Sequence, residues 1–180
     1  MFMKTKLFYI FFIVGIMGSL ISCNRHDDDR ITQSFPIEYE FEPEYIVYNR
    51  QNLTPEQLEE MPTKGLAIYT ESDFPEENLM GLEKLKNSNI DFNKYTLLLC
   101  YNRVFGVVTG HRYAWNKNLQ ENKFVFLMNF YVDYDEDTET PDEELSTYYR
   151  SAVLVKKIPI DSEVEFWHSI HVVNSDSSSQ

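Results

Sequence analysis

A chain of 180 residues with 29 acidic and 16 basic side chains carries a net charge of −13, which repels nucleic acid and anionic lipid surfaces. A nucleic-acid partner is therefore excluded, and protein, glycan or a cation remain. Only two cysteines and six glycines are present, too few for a disulfide framework or a phosphate-cradling glycine loop.

The first segment is an address and not a fold. Lys4 and Lys6 precede an apolar run from Leu7 to Ile21, broken only by Gly15, Gly18 and Ser19. A bilayer-spanning helix needs about 20 apolar residues. Charged start, short apolar middle and small residues at the end are the parts of a secretory signal peptide. Leu20, Ile21, Ser22 and Cys23 resemble the lipobox of bacterial lipoproteins. The resemblance implies acylation of the Cys23 sulfur, cleavage before it, and a palmitate-type chain on its amine, so that the protein reaches the membrane through its acyl chains. A signal anchor with an unmodified Cys23 is the plainer alternative. The following "CNRHDDD" resembles the export signal of Bacteroidota-type surface lipoproteins, with Asp27, Asp28 and Asp29 as the matching acids. It implies an outer-membrane protein displayed on the cell surface. Arg25 and His26 displace the acidic run, which keeps the periplasmic face open, and a solvated, self-repelling tether is the structural reading of the same acids. Cleavage of the first 22 of 180 residues leaves 158, and with Lys4 and Lys6 gone the net charge becomes −15. That length suits one domain.

The expected organisation is a signal peptide over 1–22, an acidic tether over 23–34, one domain over 35–173 and a polar tail over 174–180. In "FPIEYEFEPEYIVYN", Ile37, Tyr39 and Phe41 alternate with acids, the period of a half-buried strand that Pro43 breaks or confines to an edge. Residues 54–61 predict a short helix capped by Thr54 with Pro55 at its first position. "GLAIYT" predicts a strand, and "SDFPEENLMGLEKLKNS" a helix with Leu79, Leu82 and Leu85 on one face. Strands are expected over 95–103, 110–117, 123–133, 147–158 and 163–173. Phe124, Phe126, Met128 and Phe130 share one face of the third, and Val125 and Leu127 the other, which marks a central strand. Short connections favour antiparallel pairing. The fold class is α+β: a mainly antiparallel sheet or small sandwich with one or two helices packed on it.

The order of "NIDFNKYTLLL", "TGHRYAW" and "SAVLVKKIPIDSEVEF" resembles the C-terminal domain of the protease-complex subunit PrcB family over roughly residues 64–166. Asp91, Phe92, Thr109, Gly110 and Tyr113 match, whereas His111 and Arg112 stand where the family has glycine and the long acidic loop is additional. The resemblance implies a non-catalytic extracytoplasmic binding module and transfers no catalytic residues.

Chemistry-bearing residues are few. In "DYDEDTETPDEE", Asp133, Asp135, Asp137, Glu139 and Glu144 fall at positions 1, 3, 5, 7 and 12, the carboxylate spacing of a calcium loop. Thr138 stands where the sharp turn wants glycine and the flanks predict strands, so an acidic, solvated hairpin loop is expected before a calcium site, and no cofactor is required. Cys100, inside "YTLLLCY", is expected to be a buried thiol. His168 shares a face with Val164, Phe166 and Ile170 and reads as a core or core-edge histidine satisfied by hydrogen bonding before a ligand, with His171 and Trp167 on the opposite face. His111, Tyr113 and Trp115 alternate on one strand face, either as a ligand-facing aromatic row or as core. Two functions follow. One is a lipoprotein whose β-rich domain binds protein or glycan without catalysis. The other is a small extracytoplasmic hydrolase using His111 or His168, which requires a histidine within hydrogen-bond reach of a carboxylate in a polar pocket.

Overall fold

The computed structural model describes residues 32–49, 52–133 and 145–173. From Thr32 onward the chain forms one compact unit. Its described elements are β1 (Thr32–Phe35), β2 (Tyr39–Glu40), β3 (Glu44–Asn49), α1 (Pro55–Glu59), β4 (Lys64–Ile68), α2 (Leu82–Lys86), β5 (Tyr95–Phe105), β6 (Val107–Asn118), β7 (Lys123–Asp133), β8 (Leu145–Lys156) and β9 (Val164–Val172). They make two sheets: β1-β6-β7-β9, and β2-β8-β5-β4 with β3 also paired to β8. The chain is therefore a mainly antiparallel sandwich with two short helices, as its α+β class predicts.

Alternation along the strands builds the core. Phe124, Phe126, Met128, Phe130 and Val132 of β7, with Trp115 of β6, meet Leu98, Cys100 and Val104 of β5 and Tyr149, Val153 and Val155 of β8 between the sheets. β5 and β8 are apolar on their other face too, where Leu97, Leu99, Tyr101, Tyr148 and Ala152 receive Leu79, Leu82 and Leu85. Strands covered on both faces lose strict polar alternation, which explains "YTLLLCY" and "SAVLVKK". Full burial of each leucine stabilises the fold by about 1.5–3 kcal/mol.

Two glycines shape this arrangement. Gly106, with φ 88°, turns the chain from β5 in one sheet to β6 in the other within a single residue. Its N–H donates to Leu145 O and its carbonyl accepts from Thr147 Oγ1 at 2.7 Å. Gly81, with φ 67°, precedes α2 where a Cβ would lie 2.5 Å from Glu44 Oε2 and 2.8 Å from Arg150 Nε. Arg150 is buried beneath it, donates from Nη2 to Glu42 O at 2.9 Å and pairs with Glu44 Oε1 at 3.3 Å.

Three local expectations change. The helix predicted from "SDFPEENLMGLEKLKNS" contracts to a 3-10 turn, Glu71–Asp73, and the five residues of α2. Asp73 Oδ2 accepts from the backbone of Tyr69 and Thr70 at 2.9 Å, and Pro75 and the left-handed Gly81 interrupt helical continuity, while the three leucines still reach the core. Pairing is antiparallel everywhere except β7 with β9, which run parallel because a long excursion through β8 separates them. Residues 32–34, placed in the tether by composition, are strand: β1 pairs with β6 and sets Phe35 opposite Trp115. The strand read from Ile37 to Phe41 is present as β2, whose backbone bonds to β8 run from Glu38 N–H to Leu154 O at 2.9 Å and from Phe41 N–H to Ala152 O at 3.0 Å, and Pro43 separates it from β3. At α1 the expected cap is present as a reciprocal box: Gln57 N–H donates to Thr54 Oγ1 at 3.3 Å and Thr54 N–H to Gln57 Oε1 at 2.9 Å.

Candidate functional site

The structure places the row His111, Tyr113 and Trp115 on the inner face of β6. It points between the sheets, because β6 is flanked by β1 and β7 and its phenylalanine-matched face meets β8. Trp115 is buried and stacks on Phe124 at 5.0 Å between centroids. Tyr113 donates its hydroxyl to the fully buried Ser151 Oγ at 3.1 Å. His111 lies at the rim of the sandwich, with Nε2 2.5 Å from Glu40 Oε1 and Nδ1 2.8 Å from the Tyr149 hydroxyl.

The order carboxylate, imidazole, hydroxyl is that of a nucleophilic triad. Its third member is the obstacle. Tyr149 is 2% exposed, and burial holds its phenol protonated well above the ordinary tyrosine range. Burial likewise pushes Tyr113 up to about 12. An attacking oxygen must reach substrate and lose its proton, and neither hydroxyl is placed to do both. The constellation instead ties β2, β6 and β8 together.

Other sequence candidates fall in separate places. Cys100 is buried, accepts from Asn102 Nδ2 at 3.3 Å and has its thiol pushed up to about 12 by burial, which fits a structural cysteine. His168 is exposed: it shares the inner face of β9 with Phe166 and Ile170, but β9 is the edge strand of its sheet, so the sandwich leaves this position uncovered at the core's edge. Asp133 ends β7 and is exposed, while Asp135, Asp137, Glu139 and Glu144 lie outside the described residues, as do Cys23, Asp27, Asp28 and Asp29. Among the described residues no cluster of three or more His, Cys, Asp or Glu side chains is arranged to hold a metal. The motif residues near β5 and β6 have local roles. Asp91 Oδ1 accepts from Asn93 N–H at 3.1 Å in the turn before β5, and Thr109 bonds Tyr131 O at 3.2 Å beside an irregularity between Val108 and Gly110.

An assembled surface lies on the opposite face of β6, β7 and β9. Register places Arg112 beside Asn129 and Asn129 beside Ser169, Ala114 beside Leu127 and Leu127 beside Trp167, and Tyr131 beside His171. Trp167 is 47% exposed. Ser169 Oγ–H donates to Asn129 Oδ1 at 2.5 Å, and His171 Nε2 lies 3.2 Å from Ser169 Oγ. The His171 ring stacks on Tyr131 at 5.4 Å, and the Arg112 guanidinium sits 5.8 Å from the Tyr131 centroid. Glu165, also on this face, is bound by Lys123 at 3.0 Å. Sequence alternation put Trp167 and His171 together. It did not bring in Arg112, Asn129, Tyr131 or Ser169, because the signal that joins them is the parallel β7/β9 register.

Comparison of the chain with protein-family models, curated proteins and solved structures gave no match.

Proposed function

We propose that the chain is a lipid-anchored, non-catalytic binding module of the outer membrane or cell surface, acting on a protein or glycan. The observation that carries the binding half is the contrast in polar groups: the inner histidine and hydroxyls are engaged with one another, whereas the face around Trp167 presents aromatic and polar side chains to solvent. The lipobox residues 20–23 and the acids at 27–29 support the anchor, and the resemblance of residues 64–166 to the PrcB C-terminal domain supports an extracytoplasmic module without catalysis. Labelling cells with a fatty-acid analogue should tag the wild-type chain and not Cys23→Ala. Replacing Asp27, Asp28 and Asp29 by Ala should keep the label but reduce cleavage by protease added to whole cells. Equal labelling of Cys23→Ala would defeat the anchored reading.

A hydrolase is the second reading, favoured by the 2.5 Å contact between Glu40 and His111. It requires an ester or amide hydrolysis that His111→Ala abolishes while the fold is retained.

A further inference from the structure

Resting on the binding-module reading, we propose that the outer face of β6, β7 and β9 is a saccharide platform: a neutral polysaccharide chain lies along β9 from Trp167 to His171, contacted by Asn129, Ser169 and Arg112. A pyranose ring offers an apolar C–H face and a rim of hydroxyls that both donate and accept. The first needs an exposed aromatic plane, and Trp167 supplies one, 47% exposed beside Leu127 and Ala114. The second needs fixed planar polar groups. Asn129 Oδ1 is held by Ser169, so the amide nitrogen is oriented and has no partner among the described residues. His171 is fixed through Nε2 and by its stack on Tyr131, and its other ring nitrogen faces no described partner. Arg112 lies against Tyr131 and makes no ion pair among the described residues.

Dimensions and charge choose the occupant. Four residues along a strand span roughly 13 Å, the length of a short oligosaccharide. The side chains stand on strands, not loops, so binding orders little. The Trp167 indole is the largely exposed aromatic plane here; Val125, Leu127, Ala114 and Tyr131 around it are half-buried and Val173 is exposed just past β9, so the apolar surface is strung along the strands and not gathered into the central anchor cluster that a protein interface uses. The chain is strongly acidic, yet on this face Glu165 is bound by Lys123 and the exposed Asp133 at the end of β7 offsets the charge of Arg112, so the platform is close to neutral and suits an uncharged ligand.

Native gels containing soluble xylan, mixed-linkage β-glucan, galactomannan or starch test this with the full acylated chain in mild detergent. Wild type should be retarded by at least one polysaccharide, Trp167→Ala should weaken the apparent affinity at least about tenfold, Asn129→Ala should weaken it less, and Trp167→Phe should restore part of it. Emission from the buried Trp115 reports that each variant is folded. Absence of retardation by all four polysaccharides, or undiminished retardation of folded Trp167→Ala, overturns the platform. So does cross-linking through this face to a protein without any saccharide effect. Fatty-acid labelling on the same cells separates the two levels: label present without retardation fails the platform alone, and label absent fails the anchored reading.

Discussion

Along β6 and β7, side chains enter the sandwich and leave it alternately, and the two sets behave differently. Inside, Phe126, Met128 and Phe130 are fully buried and the polar members of the layer bond one another, from Glu40 through His111 to Tyr149 and from Tyr113 to Ser151. Outside, Arg112, Leu127, Asn129 and Tyr131 keep part of their surface in water beside the exposed Trp167. The same strands thus supply stability on one face and, on the proposed reading, recognition on the other. A polar group inside a sandwich must be satisfied within the protein, whereas one outside can leave its capacity for a ligand.

Neighbouring truncations across β7 should break this comparison most visibly. Phe126→Ala should lower unfolding free energy by about 3–5 kcal/mol, since it opens a cavity between packed sheets. Leu127→Ala, one residue on but half-buried on the outer face, should cost about 1 kcal/mol. Urea melts of the two variants decide it, and equal losses would mean that the outer face is as deeply packed as the inner.

Removing one inner hydroxyl sharpens the contrast at smaller scale. Tyr113→Phe leaves the buried Ser151 without its donor and should cost about 1 kcal/mol. The same substitution should blunt alkaline unfolding. Burial raises the folded Tyr113 phenol to about 12, whereas an unfolded tyrosine titrates near about 10. Between those values the unfolded chain holds fewer protons, so this group's stabilisation, full below about pH 10, is lost as pH rises toward about 12. Stability measured across that window should fall less steeply for Tyr113→Phe than for wild type. Trp167→Ala should have the smallest effect, within about 0.5 kcal/mol, because its side chain is 47% exposed.

Much of this fold could be read locally. Period-two alternation in "KFVFLMNFYVD", the double-sided apolar runs of β5 and β8, the Thr54 cap and the break at Pro43 all act through neighbours in the chain, so residue order alone determined them. Alternation also determined that His111, Tyr113 and Trp115 share a face and that Trp167 and His171 share another. It could not say which face would meet a second sheet. That choice belongs to tertiary packing, because two amphipathic sheets bury whichever faces together exclude the most water. The shortened α2 has the same origin: three leucines at helical spacing reach the core from an irregular segment as well as from a helix. Only the parallel register of β9 on β7, set by contacts some forty residues apart, brings Trp167 beside Leu127 and Ser169 beside Asn129, and no local pattern encodes a pairing between strands that the chain visits so far apart.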